Sequence, residues 1–344
     1  EEKSALAQLR RRQLDAARLA VAGNTVMQAL RIASLHAQID TVESILDEDR
    51  QNLKLVHLAF DAGSVSRLDI VSAESQLASD TTSLPPLRQE LSVAEHALAV
   101  VVGSPPASAA LPSFDLAGLT LPRRLPLSLP SELARRRPDI LAAEAQLHAA
   151  TARVGIADAN LYPHITLSAA GSGQSATLAH LFDPSSSAWS LAAGIVGPLF
   201  DGGTLHAEQR AAVAAMRASA ANYEQTVLTA FGQVADTLLA LEHGSEQLRA
   251  QRQAVRAAGD SLALTRKSYH EGNVGVLQVL DAERLYQQAR LGVVRAEAQR
   301  FADTAQLFLA LGGAGPDDDE LASTIAAGPS GAKRQARPAT PARP

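Results

Sequence analysis

The sequence predicts a mainly α-helical protein built from long antiparallel helical hairpins, with a small β part of two strands. Three observations carry this. Aromatic residues make up 3% of a chain that is 46% hydrophobic, with 7 Phe, 4 Tyr, 1 Trp and 2 Met among 344 residues. A thick globular core relies on such bulky side chains, whereas helical seams can be packed with Ala and Leu. A duplicated segment runs without a gap, Leu55 to Gly103 matching Leu264 to Gly312. Finally, apolar residues recur at every seventh position over long stretches.

The duplication is clearest in AFDAGSVSRLDIVSAESQL and SYHEGNVGVLQVLDAERLY. Phe60 matches Tyr269, Gly63 matches Gly272, Val65 matches Val274, Leu68 matches Leu277, and Ala73-Glu74 matches Ala282-Glu283. Upstream, Ile32, Ile39, Leu46, Leu53 and Phe60 form a heptad series; Val227, Val234, Leu241, Leu248, Val255, Leu262 and Tyr269 form its counterpart. The stretch from Leu205 to about Glu271 would extend over roughly 100 Å as one helix. Each long helix ends at a short turn, DAGSVS at 61–66 and HEGNVG at 270–275, where Gly63 and Gly272 suit the left-handed closing position. Ser66-Arg67-Leu68-Asp69 reads as a capping box that opens the returning helix. That helix has its own seam, Ile70, Leu77, Leu84, Leu91 and Leu98, and Pro85-Pro86 must interrupt it. Gly292 stands near the corresponding place in the second copy, so each unit is expected to pair one long helix with two shorter ones stacked end to end.

The remaining segments divide the chain. Residues 1–102 form the first hairpin and 103–137 a Pro-rich crossover containing Pro105, Pro106, Pro112, Pro122, Pro126 and Pro130. A short helix follows over 138–162, a strand pair over 163–203, and the second long helix with its return over 204–312. Residues 313–344, rich in Pro, Ala and basic groups, are expected to be disordered.

In PHITLSAAGSG, Ile165, Leu167 and Ala169 alternate with His164, Thr166 and Ser168. In WSLAAGIVGPLF, the alternation puts Trp189, Leu191, Ala193, Ile195 and Leu199 on one face. Both segments have about the 9–11 residues of a membrane-spanning strand. A soluble hairpin packed on helices fits the same pattern, but no other apolar layer is left for it to cover. Two strands cannot close a barrel, and open edges are not tolerated in lipid. In a membrane, several subunits must therefore share one barrel.

Other classes of function find little support. A net charge of −5 argues against nucleic acid as a partner. The absence of cysteine excludes disulfides, thiolate metal sites and cysteine nucleophiles, and no apolar run is long enough for a transmembrane helix. The nine His residues show no metal-binding spacing, and Gly171-Ser172-Gly173 does not precede a helix as a phosphate loop would. Glu43, Asp47, Glu48 and Asp49 read as a solvated helix face, and Met27 with Met216 is too few for a methionine-lined copper path. No catalytic constellation, cofactor site or metal site is expected.

The order of four motifs, together with the duplicated unit, resembles the TolC/OprM-like outer-membrane efflux factors, and within them the NodT-type lipoprotein branch. The motifs are Arg135-Arg136-Arg137-Pro138-Asp139-Ile140, Leu161-Tyr162-Pro163, Gly197-Pro198-Leu199-Phe200-Asp201-Gly202-Gly203 and Val279-Leu280-Asp281-Ala282, and the likeness covers about residues 5–313. The resemblance implies a homotrimer whose chains share one outer-membrane β-barrel and one long periplasmic α-barrel tunnel. Ile165, Leu167, Trp189, Leu191, Ile195 and Leu199 would then face lipid. It implies two further partners, a periplasmic adaptor protein and an inner-membrane pump of the resistance-nodulation-division type. It also implies that the first repeat here lacks its opening helix and strand pair, and that a lipidated N-terminal cysteine would belong to that missing part.

By position, the resemblance makes Leu277, Gln278 and Asp281 the pore gate, with three Leu277 side chains as an apolar constriction and three Asp281 as an acidic ring. On pattern alone Leu277 is seam packing and Asp281 a first-turn acid favoured by the helix dipole; the resemblance reverses that preference for Asp281. Gly63, Ser64, Val65, Arg67, Asp69, Gly272, Asn273 and Val274 become the tip that meets the adaptor, although ordinary turn chemistry accounts for each of them. Val274 stands where some relatives carry a basic residue bridging to the counterpart of Asp69, so that bridge is expected to be absent, with Arg67 a possible substitute. The alternative from a different class is a soluble periplasmic coiled-coil adaptor or scaffold without a pore.

Overall fold

Heptad seams, glycine turns and proline breaks lead to six helices and one strand pair in the computed structural model, which describes residues 1–109, 111–122, 136–174, 184 and 187–313. The elements are α1 (Glu2–Asp61), α2 (Arg67–Thr81), α3 (Leu84–Val101), α4 (Pro138–Ala159), β1 (His164–Gly173), β2 (Ser187–Val196), α5 (Thr204–His270) and α6 (Val276–Ala310). Two single 3-10 turns, Pro106–Ser108 and Leu116–Gly118, lie in the crossover. The 123–135 part of the crossover and the 314–344 tail, expected to be disordered, lie outside the described residues.

These residues fall into two compact units. One is built from Glu1–Asp15 with Pro138–Thr229, the other from Ala16–Arg137 with residues from Ala230 onward. In the first, Leu9 of α1 is buried against Ala142 and Ala145 of α4, with Leu6 beside them. Arg153 donates to Glu2 at 2.6 Å and Gln209 to Asp158 at 2.7 Å. Small Ala side chains let the helix backbones approach closely, which explains how so few aromatics suffice.

The second unit is held by the expected seams. Ile32, Leu35, Ile39, Val42 and Leu46 of α1 pack on Leu87, Ala94 and Leu98 of α3, with Leu77, Leu84 and Leu91 partly buried around them. Pro85 and Pro86 sit in the first turn of α3, where their missing N–H groups cost nothing. The return of the second repeat differs from expectation: α6 runs unbroken across Gly292. A glycine costs a helix only about 1 kcal/mol against alanine, whereas a proline pair also removes hydrogen bonds and clashes. The Gly292 side is instead occupied by Gln251, whose Cδ would lie 2.9 Å from a Cβ at that position.

The four closing glycines of the two repeats adopt positive φ: 73° at Gly63, 77° at Gly272, and 76° and 93° at the paired Gly103 and Gly312. At the first turn Gly63 N–H donates to Phe60 carbonyl and Ser64 N–H to Ala59 carbonyl, both at 2.8 Å; Gly272 and Asn273 repeat the pattern to Tyr269 and Ser268. This is the Schellman closure, which satisfies the last carbonyls of each long helix. Nothing lies within 4 Å of a Cβ built at Gly63 or Gly272. Gly63→Ala and Gly272→Ala are therefore expected to cost about 1 kcal/mol each through backbone strain alone, read as a lower urea midpoint with an unchanged slope.

β1 and β2 pair antiparallel, with Ile165 opposite Ile195, Leu167 opposite Ala193, Ala169 opposite Leu191 and Gly171 opposite Trp189. Opposed residues share a face, so the predicted apolar side of both strands is one surface. Leu199 does not belong to it. β2 starts at Ser187 and ends at Val196, because Gly197 packs on Pro163 and Pro198 has no N–H to extend the ladder. The Gly197–Gly203 motif then makes the turn into α5. Asp201 accepts from the N–H of Gly203 at 3.0 Å and of Leu205 at 2.7 Å, while Gly202 and Gly203 take φ of 63° and 88°. Those two donors hold the Asp201 carboxyl below the usual carboxylate range.

Candidate functional site at the helical turns

The two repeat turns are joined by one apolar cluster. Val56 of α1, Ile70 and Ala73 of α2 and Val276 of α6 are buried together, with Leu53, Val65, Tyr269 and Leu280 packed around them. Val65 thus faces inward, as Val276 does, and Val274 is half-buried. Gly63, Ser64, Arg67, Gly272 and Asn273 are exposed. Asn273 Nδ2 donates to Glu271 at 3.2 Å. Asp69 is occupied locally: the Ser66 N–H and hydroxyl donate to its carboxylate at 2.7 and 2.8 Å, anchoring the start of α2. Among the described residues, no ion pair joins Arg67 or Asp69 to the second turn.

Leu277, Gln278 and Asp281 lie together on the outer side of the first turns of α6, while Val276, Ala282 and Glu283 turn inward. Leu277 is 43% exposed. Asp281 is well exposed and has Arg284 one turn on, at 3.6 Å. Leu277 and Asp281, four residues apart, therefore form one outward patch of an apolar and an acidic group.

Beyond the turns the seam between α1 and α6 becomes polar, which sequence reasoning missed. Asn52 donates to Glu283 at 2.6 Å and Gln287 to Asp49 at 2.9 Å. Arg290 donates to Glu48 at 2.7 Å and to Ser44 at 3.1 Å, and Arg295 to Gln38 at 2.8 Å. Arg266 of α5 reaches Glu283 at 2.9 Å. Asp49, expected on a solvated face, is buried. The heptad series explains it: Leu35, Val42, Asp49 and Val56 continue at seven-residue spacing as the second set of seam positions. The other three acids of that segment, Glu43, Asp47 and Glu48, remain exposed or half-exposed and pair with Arg88, Arg50 and Arg290.

On the strand pair, Ile165, Leu167, Trp189, Leu191 and Ile195 are 63–84% exposed. The opposite face carries His164, Thr166, Ser168 and Ser172 with Val196, Gly194, Ala192 and Ala188. Leu199, off the strand, is fully exposed. Among the described residues no helix is long and apolar enough to cross a membrane, and no group of His, Asp and Glu is arranged to hold a metal ion.

Residues 129–313 match the family described as outer membrane efflux protein. The pyoverdine export outer membrane protein OpmQ of Pseudomonas putida is 32% identical over 309 residues, covering 88% of this chain and 65% of that protein. The cation efflux system protein CusC of Escherichia coli is 32% identical over 281 residues, covering 81% of this chain and 60% of CusC. The chain thus spans less than two thirds of the length of these relatives. The solved outer-membrane channel OprN superposes with a TM-score of 0.80 at 28% identity, over 91% of this chain and 70% of OprN. These relatives are named as export proteins and channels, and none of the three names describes an enzyme.

Proposed function

The chain belongs to the outer membrane efflux protein family, and we propose that it serves as a passive exit duct, docked in the periplasm to an adaptor and an inner-membrane pump. The observation that carries this reading is the strand pair. Its Ile165–Ile195, Leu167–Ala193, Ala169–Leu191 and Gly171–Trp189 ladder presents an apolar face to the surroundings, and each strand leaves one edge unpaired. Lipid supplies no hydrogen-bond partners for such edges, so the pair needs further strands beside it. Three copies sharing one barrel meet that need. The long helices with their common turn cluster then form the periplasmic tunnel, and the protein is held at the outer membrane, with a lipid anchor on the NodT-type pattern.

In this reading the duct performs no chemistry. Its gate is the outward patch of Leu277, Gln278 and Asp281, repeated three times around the pore as an apolar constriction beside an acidic ring that favours cations. The exposed small turn residues Gly63, Ser64, Gly272 and Asn273 let the adaptor approach closely, with exposed Arg67 beside them. OpmQ and CusC are named for different cargoes, pyoverdine and cations; cargo selection accordingly rests with the pump. Family membership favours the duct over a pore-free scaffold.

The test is conductance in planar bilayers, with the protein that carries this chain and its Asp281→Ala variant. Discrete, mostly closed channels are expected, with a cation preference that falls severalfold in the variant. Channels of unchanged selectivity would move the gate away from Asp281. A folded protein without any conductance would sink the duct.

A further inference from the structure

The polar seam holds one acid whose surroundings do not balance. Asp49 is 5% exposed, and its Oδ1 accepts from Gln287 of α6. Its Oδ2 is buried with no donor in reach. The group that faces it from α2 is the Asp80 carboxyl, whose Oδ2 accepts from Gln76 at 2.7 Å. From α6 comes Glu283, 2% exposed, which takes donors from Asn52 of α1 and Arg266 of α5. Three carboxyls from three helices thus meet one guanidinium, which is spent on Glu283. Glu48, next to Asp49 in α1, and Arg290 of α6 neutralise each other.

Two carboxylates cannot hydrogen-bond each other; a carboxyl and a carboxylate can. One proton between Asp49 Oδ2 and Asp80 satisfies the orphaned oxygen and removes the like-charge contact in the same step. We propose that Asp49 and Asp80 share a proton that joins α1 to α2 and lets Asp49 stay buried against Gln287 and Glu283 of α6, and that release of this proton leaves a buried charge that loosens the seam between α1 and α6 beside the turns. Burial first, with Asp80 and Glu283 adding to it, pushes the Asp49 carboxyl up to about 7.

The latched state binds the proton more tightly than an opened state, in which the acid has its ordinary value of 3.8. The seam is therefore firmest in acid, weakens as pH rises from about 4 to about 7, and stays at its weakest above that. Between pH of about 5.5 and about 8 the opening equilibrium rises about 30-fold.

Amide hydrogen exchange of the protein in its native state reads this directly. After division by the intrinsic rate, protection over residues 42–56 and 280–290 is expected to fall about 30-fold between those two pH values. In Asp49→Asn, where the amide donates to Asp80 without titrating, protection should be the same at both. Wild-type protection that does not change with pH overturns the latch, as does an equal fall in Asp49→Asn. Should that variant not fold, Asp80→Asn decides: its amide donates to ionised Asp49, so the step should shrink, and an undiminished step overturns the proposal. The readout needs no channel, so the latch fails or stands separately from the duct.

Discussion

Arg137→Ala is expected to lower the stability of the chain by about 3 kcal/mol, the scale for losing hydrogen bonds from a buried charged donor. Arg137 is 7% exposed. Its Nη1 donates to the Ala310 carbonyl and its Nη2 to Gln233 Oε1, both at 2.8 Å. Ala310 closes α6, where the last carbonyls have no partner within the helix and carry the negative end of its dipole. The guanidinium thus caps one helix and ties it to the side of another. Gly312 lets the chain lie against it: a Cβ there would meet Arg137 Cα at 3.2 Å. Truncation leaves an unpaired carbonyl, an unpaired amide oxygen and a cavity. Arg137→Lys should lose about half as much, because an ammonium on one stem does not span both acceptors as the planar fork does. Urea unfolding followed by far-ultraviolet circular dichroism measures both. An Ala variant within about 0.5 kcal/mol of wild type would mean that water replaces these contacts.

The sequence presents Arg137 only as part of a motif, because its partners Ala310 and Gln233 lie 173 and 96 residues away. Local rules carried the elements: heptads gave the long helices, Gly63 and Gly272 their ends, Ser66 and Asp69 the start of α2, and alternation the strand pair. These depend on neighbours a few residues apart, so they survive without tertiary knowledge. The helix α6 runs unbroken because Gly292, unlike Pro85-Pro86, neither removes an N–H nor collides with the preceding turn. Leu199 lies past the proline that ends the ladder, so alternation no longer applies to it. The buried polar seam was in fact legible. Leu35, Val42 and Val56 mark the second seam row of α1, and Asp49 interrupts it; on α6, Glu283 and Arg290 follow Val276 in one row, and Gln287 stands between Leu280 and Val294 in the other. What the sequence cannot supply is which interruption meets which, since that is set by the register of helices more than 200 residues apart. The outward patch of Leu277 and Asp281 came from likeness alone, because an exposed leucine beside an acid has no local signature.

Glu283→Ala should destabilise the protein by about 3 kcal/mol at pH of about 5.5, whereas Asp49→Asn should stabilise it at pH of about 8 by removing an uncompensated buried charge, although both changes remove a carboxyl group from the same seam. The difference lies in what each acid faces. Glu283 meets donors on both oxygens, Asn52 at 2.6 Å and Arg266 at 2.9 Å, so its charge is compensated. Removing it strands the Asn52 amide and opens a cavity at one of the most deeply buried side chains in the chain. Arg266, 47% exposed, recovers much of its solvation and moderates the loss. Glu283→Gln keeps the volume and one acceptor and should cost about 1 kcal/mol. At higher pH, part of the cost of either change is offset, because the ionised Asp49 loses a like-charged neighbour. A double-mutant cycle of Glu283 with Arg266 separates the ion pair from the packing. Coupling of about 1 kcal/mol or more would show that the guanidinium holds this carboxylate in the seam. Coupling near zero would assign the stability to the Asn52 contact and to burial.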